Sequence, residues 1–211
     1  MNRLLDIVAQ VISVVFYPLF VPTYGVAMYC YATHTLVNPL PPVWMCIAII
    51  GTLLFTCILP LSAIAVMMRR GDISDFQIDN SKERTMPYIY SAFGFGCWSY
   101  LMIHILEAPE YIGFICVGAT VAIALVAIIN HWWKISAHLT GFGGLFGGVM
   151  AFCIGINAIP TWGTLGLWIG ISLSIVYARL RLHAHTPEQV AAGWLVGVSC
   201  TTIPYCIHAL V

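Results

Sequence analysis

Charge is scarce in this sequence. Eight lysines and arginines and eight aspartates and glutamates occur among 211 residues, for a formal net charge of zero. No basic cluster alternates with exposed aromatics, which excludes the electrostatic footprint of a nucleic-acid binder. Paired cysteines are missing as well. Cys30, Cys46, Cys57, Cys97, Cys116, Cys153, Cys200 and Cys206 stand singly inside apolar runs, with no CxxC spacing. They read as small buried hydrophobes rather than as a disulfide frame or a metal site. The first apolar run passes into a second without a small-residue cleavage site, so no cleavable signal peptide is expected.

Apolar side chains fill the space that charge leaves. They make up 61% of the chain, and the mean hydropathy is +0.93, more than a soluble domain of this size could bury. A spanning helix needs about 20 mostly apolar residues, and several such runs follow one another with short polar breaks. The expectation is an all-α polytopic transmembrane bundle of six or seven helices, with residues 1–211 as one domain. Crossings are expected near 17–31, 43–68, 87–106, 112–129, 139–156 and 162–178, and from 187 to the C-terminus. Residues 4–16 carry Asp6 and Gln10 ahead of Pro18 and Pro22, so the first span is either kinked or preceded by an interfacial helix. Gly143 and Gly147, Gly144 and Gly148, and Gly193 and Gly197 have the small-xxx-small spacing that lets helix backbones approach.

Three polar stretches interrupt this pattern: SKERTMP at 81–87, KISAH at 134–138 and ARLRLHAH at 178–185. Two spans separate each from the next, so all three emerge on one face of the membrane. Arg3, Arg69, Arg70, Lys82, Arg84, Lys134, Arg179 and Arg181 fall on that face, whereas the opposite turns carry Glu107 and Glu110. The positive-inside rule places the basic face in the cytoplasm, in what reads as a bacterial inner membrane.

The same stretches hold the chemistry. Ser136 and His138 stand where a loop becomes a helix, as do Thr186 and Pro187. A helix start offers unpaired N–H groups and the positive end of the helix dipole, which suit a phosphate. Lys82, Arg84, Lys134, Arg179 and Arg181 could neutralise that anion. Histidine serves as acid, base or nucleophile near neutral pH.

The three stretches resemble the signature of the type 2 phosphatidic acid phosphatase superfamily of membrane lipid phosphatases. That signature is a Lys/Arg-rich segment ending in Pro, then Pro-Ser-Gly-His, then Ser-Arg, five residues, His, three residues, Asp. Here the second part reads Ile135-Ser136-Ala137-His138, and the third reads Ala178-Arg179, five residues, His185, three residues, Gln189. The resemblance covers about the last two-thirds of the chain. It implies a metal-independent lipid phosphatase in which His185 attacks phosphorus to give a phosphohistidine, and His138 protonates the leaving alcohol and later activates water. Lys82, Arg84, Arg179 and the helix-start amides at Ser136 and Ala137 would hold the phosphoryl oxygens. The implied substrates are phospholipid, polyprenyl or lipid A phosphates within the bilayer. No cofactor or metal is implied, and a homo-oligomer remains open. Many relatives work on the outer side of the membrane, which makes a periplasmic site the family-based alternative to the cytoplasmic one.

The chain departs from the signature in three ways. Asp79 and Met86 occupy the Lys and Arg positions of the first part, so Lys82 and Arg84 carry over by proximity. Ala137 and Ala178 replace the family's Gly and Ser. Gln189 replaces the aspartate that would orient the nucleophile. Its amide oxygen can accept a ring N–H but cannot offset an imidazolium charge. Slower chemistry, an orienting role for Glu188, or a phosphatase-like protein that binds or moves an anionic lipid without turnover all follow from that substitution. Thr186 to Gln189 also reads as a capping box with Pro at the first helical position, and this could be the glutamine's whole purpose. His131 and His183 read as interfacial histidines, His34, His104 and His208 as residues of the opposite side, and Arg69 and Arg70 as the charged stop of a span. Asp72, Asp75 and Asp79 read as a solvated loop.

Overall fold

The computed structural model describes residues 3–73 and 81–210. Asp75, Asp79 and the side chain of Lys82 lie outside the described residues. Among the described residues there is no strand, and eight α-helices follow in order. These are α1 (Arg3–Val15), α2 (Val21–Leu36), α3 (Pro42–Arg70), α4 (Thr85–His104), α5 (Glu110–Ile129), α6 (Ala137–Gly155), α7 (Trp162–Arg181) and α8 (Pro187–Leu210). A 3-10 turn, Ser81–Arg84, leads into α4. By length and composition, α3, α5, α6, α7 and α8 can each cross a membrane, which makes the chain an integral membrane protein.

The first crossing differs from the sequence expectation. The segment with Asp6 and Gln10 is a helix of its own, and the next helix starts at Val21 rather than near Tyr17. The prolines explain the break, because Pro18 falls in the turn between them and Pro22 takes the first turn of α2, where a missing N–H costs nothing. Along α1 the residues Leu4, Ile7, Val11 and Val14 are exposed, whereas Ala9 and Ser13 are buried. The small residues at i and i+4 let α1 lie against α7, and the outward apolar stripe suits lipid.

Within α3 the α-pattern widens to a π-turn over Leu54–Ile58, and the Leu59 N–H reaches back to the Leu54 carbonyl. Pro60 follows at once; it has no N–H, and its ring would crowd the carbonyl of Thr56 in a regular helix, so a wide turn relieves it. Gly71, at φ +79°, closes α3 in the left-handed conformation that glycine favours.

The centre of the bundle is the parallel pair α6 and α8, and glycine holds it together. A Cβ on Gly143 would strike the Trp194 carbonyl, one on Gly193 the Ser136 carbonyl, and one on Gly197 the Thr140 carbonyl. Backbone therefore rests on backbone along the junction, as the small-xxx-small spacing implied. Gly148 turns the other way, and a Cβ there would meet the Tyr29 hydroxyl on α2. Gly197→Ala should force α6 and α8 apart and lower stability by about 1–3 kcal/mol. Denaturant unfolding in detergent checks this; an unchanged midpoint would contradict the packing.

Candidate active site

The α6–α8 junction brings two of the polar stretches into direct contact. The Ser136 N–H donates to the Gln189 carbonyl at 3.3 Å, and His185 Nδ1 lies 3.2 Å from the Lys134 carbonyl. The third stretch joins them through a shared cavity. Arg84 before α4, His138 in the first turn of α6, Arg179 in the last turn of α7 and His185 before α8 all border it, together with Ala137. About 180 Å³ of this cavity is open to the centre of a water molecule. Arg84 and His138 are buried, and so is His185. Arg84 is also hydrogen-bonded to the Tyr88 hydroxyl, one turn along α4.

Hydrogen bonds assign the protons on both rings. His185 Nδ1 faces two oxygens, the Lys134 carbonyl and Gln189 Oε1, each at 3.2 Å. Gln189 Oε1 also accepts the Thr186 N–H at 3.2 Å, which only an amide oxygen can do. His185 therefore carries its proton on Nδ1 and keeps the Nε2 lone pair for attack. Gln189 caps α8 and orients His185 at the same time, so the two readings of this residue are both realised. Glu188 is exposed and pairs with Thr186. The ring partner is Gln189, which removes Glu188 as the orienting group.

His138 is held differently. Its Nε2 lies 3.1 Å from the Ser13 carbonyl, an acceptor, so the neutral ring has its lone pair on Nδ1. The Tyr17 ring stands edge-on to it, with centroids 5.8 Å apart. Ser13 serves the cations too, because its hydroxyl accepts from Arg179 Nη1 at 3.3 Å. Arg181 turns away from the cavity and pairs with Asp6 at 2.8 Å, so it anchors α1 rather than facing a ligand. Sequence reasoning missed Ser13, Tyr17 and Tyr88. A signal existed for α1, since Asp6 and Ser13 are seven residues apart and share one helical face.

Ser136 is fully buried behind the cavity rather than on its wall. Its N–H is engaged by Gln189, so the helix-start donors left facing the cavity belong to the residues after it. Ala178, in the position of the family's serine, is buried as well. His131 and His183 are exposed, as interfacial histidines would be. Among the described residues no cluster of three His, Cys, Asp or Glu could hold a metal ion.

Burial, then the Arg179 guanidinium, and more weakly Arg84 and Lys134, hold the His185 ring down at about 4, against the opposing hydrogen bond to Gln189. The ring is thus neutral across the physiological range. No protein-family model, curated protein or solved structure matches the chain, so any functional reading rests on this geometry and on the motifs. A titration of ring-labelled histidine by NMR should show His185 still neutral at about pH 5.5, where an ordinary histidine is mostly protonated. Gln189→Glu adds an anion beside Nδ1, favours the imidazolium, and should raise the midpoint by roughly 1–3 pH units.

Proposed function

We propose that the chain is an integral membrane lipid phosphatase that hydrolyses a phosphate monoester or pyrophosphate of a lipid through a phosphohistidine. One observation carries this reading. Residues from three stretches far apart in sequence, Arg84, His138, Arg179 and His185, meet at one end of a cavity whose remaining wall is mostly apolar.

The chemistry follows from the assigned protons. The Nε2 lone pair of His185 attacks phosphorus, and the P–O bond to the lipid breaks. For the leaving step His138 must first take up a proton on its Nδ1 lone pair as the anionic phosphate binds. The imidazolium gives that proton to the leaving oxygen, and the neutral ring then takes one from the water that splits the P–N bond, which returns His185 to its neutral form. Arg84 and Arg179 stand opposite the phosphoryl oxygens, where charge is greatest. Fixed cations in a water-poor site stabilise that charge without rearranging during the step. Lys82 is assigned to the same task by the resemblance alone.

A second reading has its own support. Gln189 meets Nδ1 with a neutral oxygen where the resembled family has a carboxylate, so the imidazolium formed on attack gains no counter-charge there. A lapsed phosphatase that binds an anionic lipid would tolerate this.

Phosphate release from a panel of lipid phosphates by the purified protein separates the two. The phosphatase reading expects turnover that a chelator does not change, complete loss in His185→Ala, and a loss of about 10²- to 10⁴-fold in His138→Ala. Full activity in His185→Ala would remove the phosphohistidine, and lipid phosphate binding without release from any substrate would favour the lapsed form. The basic residues argue for a cytoplasmic site. Under that assignment His131→Cys, in an exposed turn of the same face, resists an impermeant thiol reagent in intact cells and reacts once they are opened; ready labelling of intact cells would place the face outside.

A further inference from the structure

The cavity does not stop at the four polar residues. Along α4 it is lined at Arg84, Ser91, Phe95 and Trp98, positions that recur on one helical face. From Arg84 to Trp98 this wall runs about 20 Å at 1.5 Å per residue. On the antiparallel α5 the lining runs from Val126 through Ala119 to Ile115, again a single face. The space is therefore a shaft parallel to the helices, with a charged mouth at the loop face.

Its wall suits hydrocarbon. The hydroxyls along it spend their protons on backbone carbonyls: Thr52 on Ala48, Thr56 on Thr52, Ser91 on Pro87 and Ser99 on Phe95. Trp98 donates its indole N–H to Thr52 Oγ1 at 2.8 Å, which ties α4 to α3 across the inner end and makes a floor. A phosphate or carbonyl oxygen sliding inward would find the protons of these hydroxyls already engaged, whereas a methylene chain loses nothing. The length exceeds half of a bilayer's ~30 Å hydrocarbon core, which is the depth of one leaflet. About 180 Å³ spread over that length leaves a bore one chain wide.

We infer that the shaft takes a single hydrocarbon chain of the substrate, drawn inside the bundle with its phosphate at Arg84 and Arg179 and its end near Trp98. The substrate class is then a phosphate ester of one alkyl or prenyl chain, in preference to a diacylglycerol phosphate, whose second chain has no room in the bore. This rests on the phosphatase reading for the placement of the phosphate.

The test uses alkylphosphonates with a terminal diazirine, which bind without being hydrolysed. A leaflet-length chain, irradiated on the full-length protein in nanodiscs and mapped by mass spectrometry, should label Trp98 and Thr52. A chain half as long should label Ser91 and Ala119. Ala119→Leu narrows the bore midway and should cut floor labelling by at least tenfold while leaving the short-chain label in place. Labels on Phe93 and Tyr100, which face outward on the same helix, overturn the inference, as does a label position that ignores chain length. Should Ala119→Leu fail to fold, the wild-type depth series decides alone. Labelling needs no turnover, so a protein that releases no phosphate still reports on the shaft, and turnover with outward labels removes the shaft while leaving the phosphatase.

Discussion

The geometry at the loop face depends on how closely the backbones of α6 and α8 approach. His138 begins one of these helices and His185 immediately precedes the other, so their separation is set by the glycines between them and not by any flexible loop. Gly193, about two turns past His185, rests on the carbonyl of Ser136, two residues before His138. In a bilayer no hydrophobic force drives helices together, since lipid tails are as apolar as the side chains they would replace. Close packing has to supply the attraction, and here it fixes a polar constellation as well.

That constellation concentrates positive charge where little water reaches. The consequence is visible in His185, whose ring is kept neutral by burial and by Arg179 before anything binds. A nucleophile and its electrostatic supports usually compete, because cations that stabilise a phosphate also lower the basicity of a nearby base. Gln189 adjusts this balance by geometry alone, fixing the tautomer while adding no charge. Capping and orientation share one oxygen atom, so the start of α8 and the aim of His185 cannot vary independently.

Much of the architecture was legible in the sequence because its signals are local. Apolar runs, interfacial tryptophans and polar breaks place seven helices from α2 onward, and the i, i+4 glycines mark the α6–α8 contact. The convergence of Arg84, His138, Arg179 and His185 followed from counting crossings between motifs. What escaped notice depends on contacts across more than a hundred residues. Ser13 and Asp6 reach α6 and α7 from the far end of the chain, and nothing around them names their partners. Arg181 looked like another phosphate ligand because composition cannot tell an arginine aimed inward from one aimed at Asp6. Gln189 posed two alternatives as though they excluded each other, but a side chain with one acceptor oxygen can serve two donors.

The π-turn in α3 has a consequence for phase. Thr52, Thr56 and Ile64 all line the cavity, yet at about 100° per residue an unbroken α-helix would turn Ile64 roughly 120° away from Thr52. The wide turn between them absorbs one residue without advancing the helix by its usual angle, which brings the offset back to roughly 20°. The two halves of α3 thus present one continuous wall, with a proline marking where the correction is made. Restoring regular α-geometry at that point, with every residue retained, would rotate the half nearest the charged mouth and leave the other half in place.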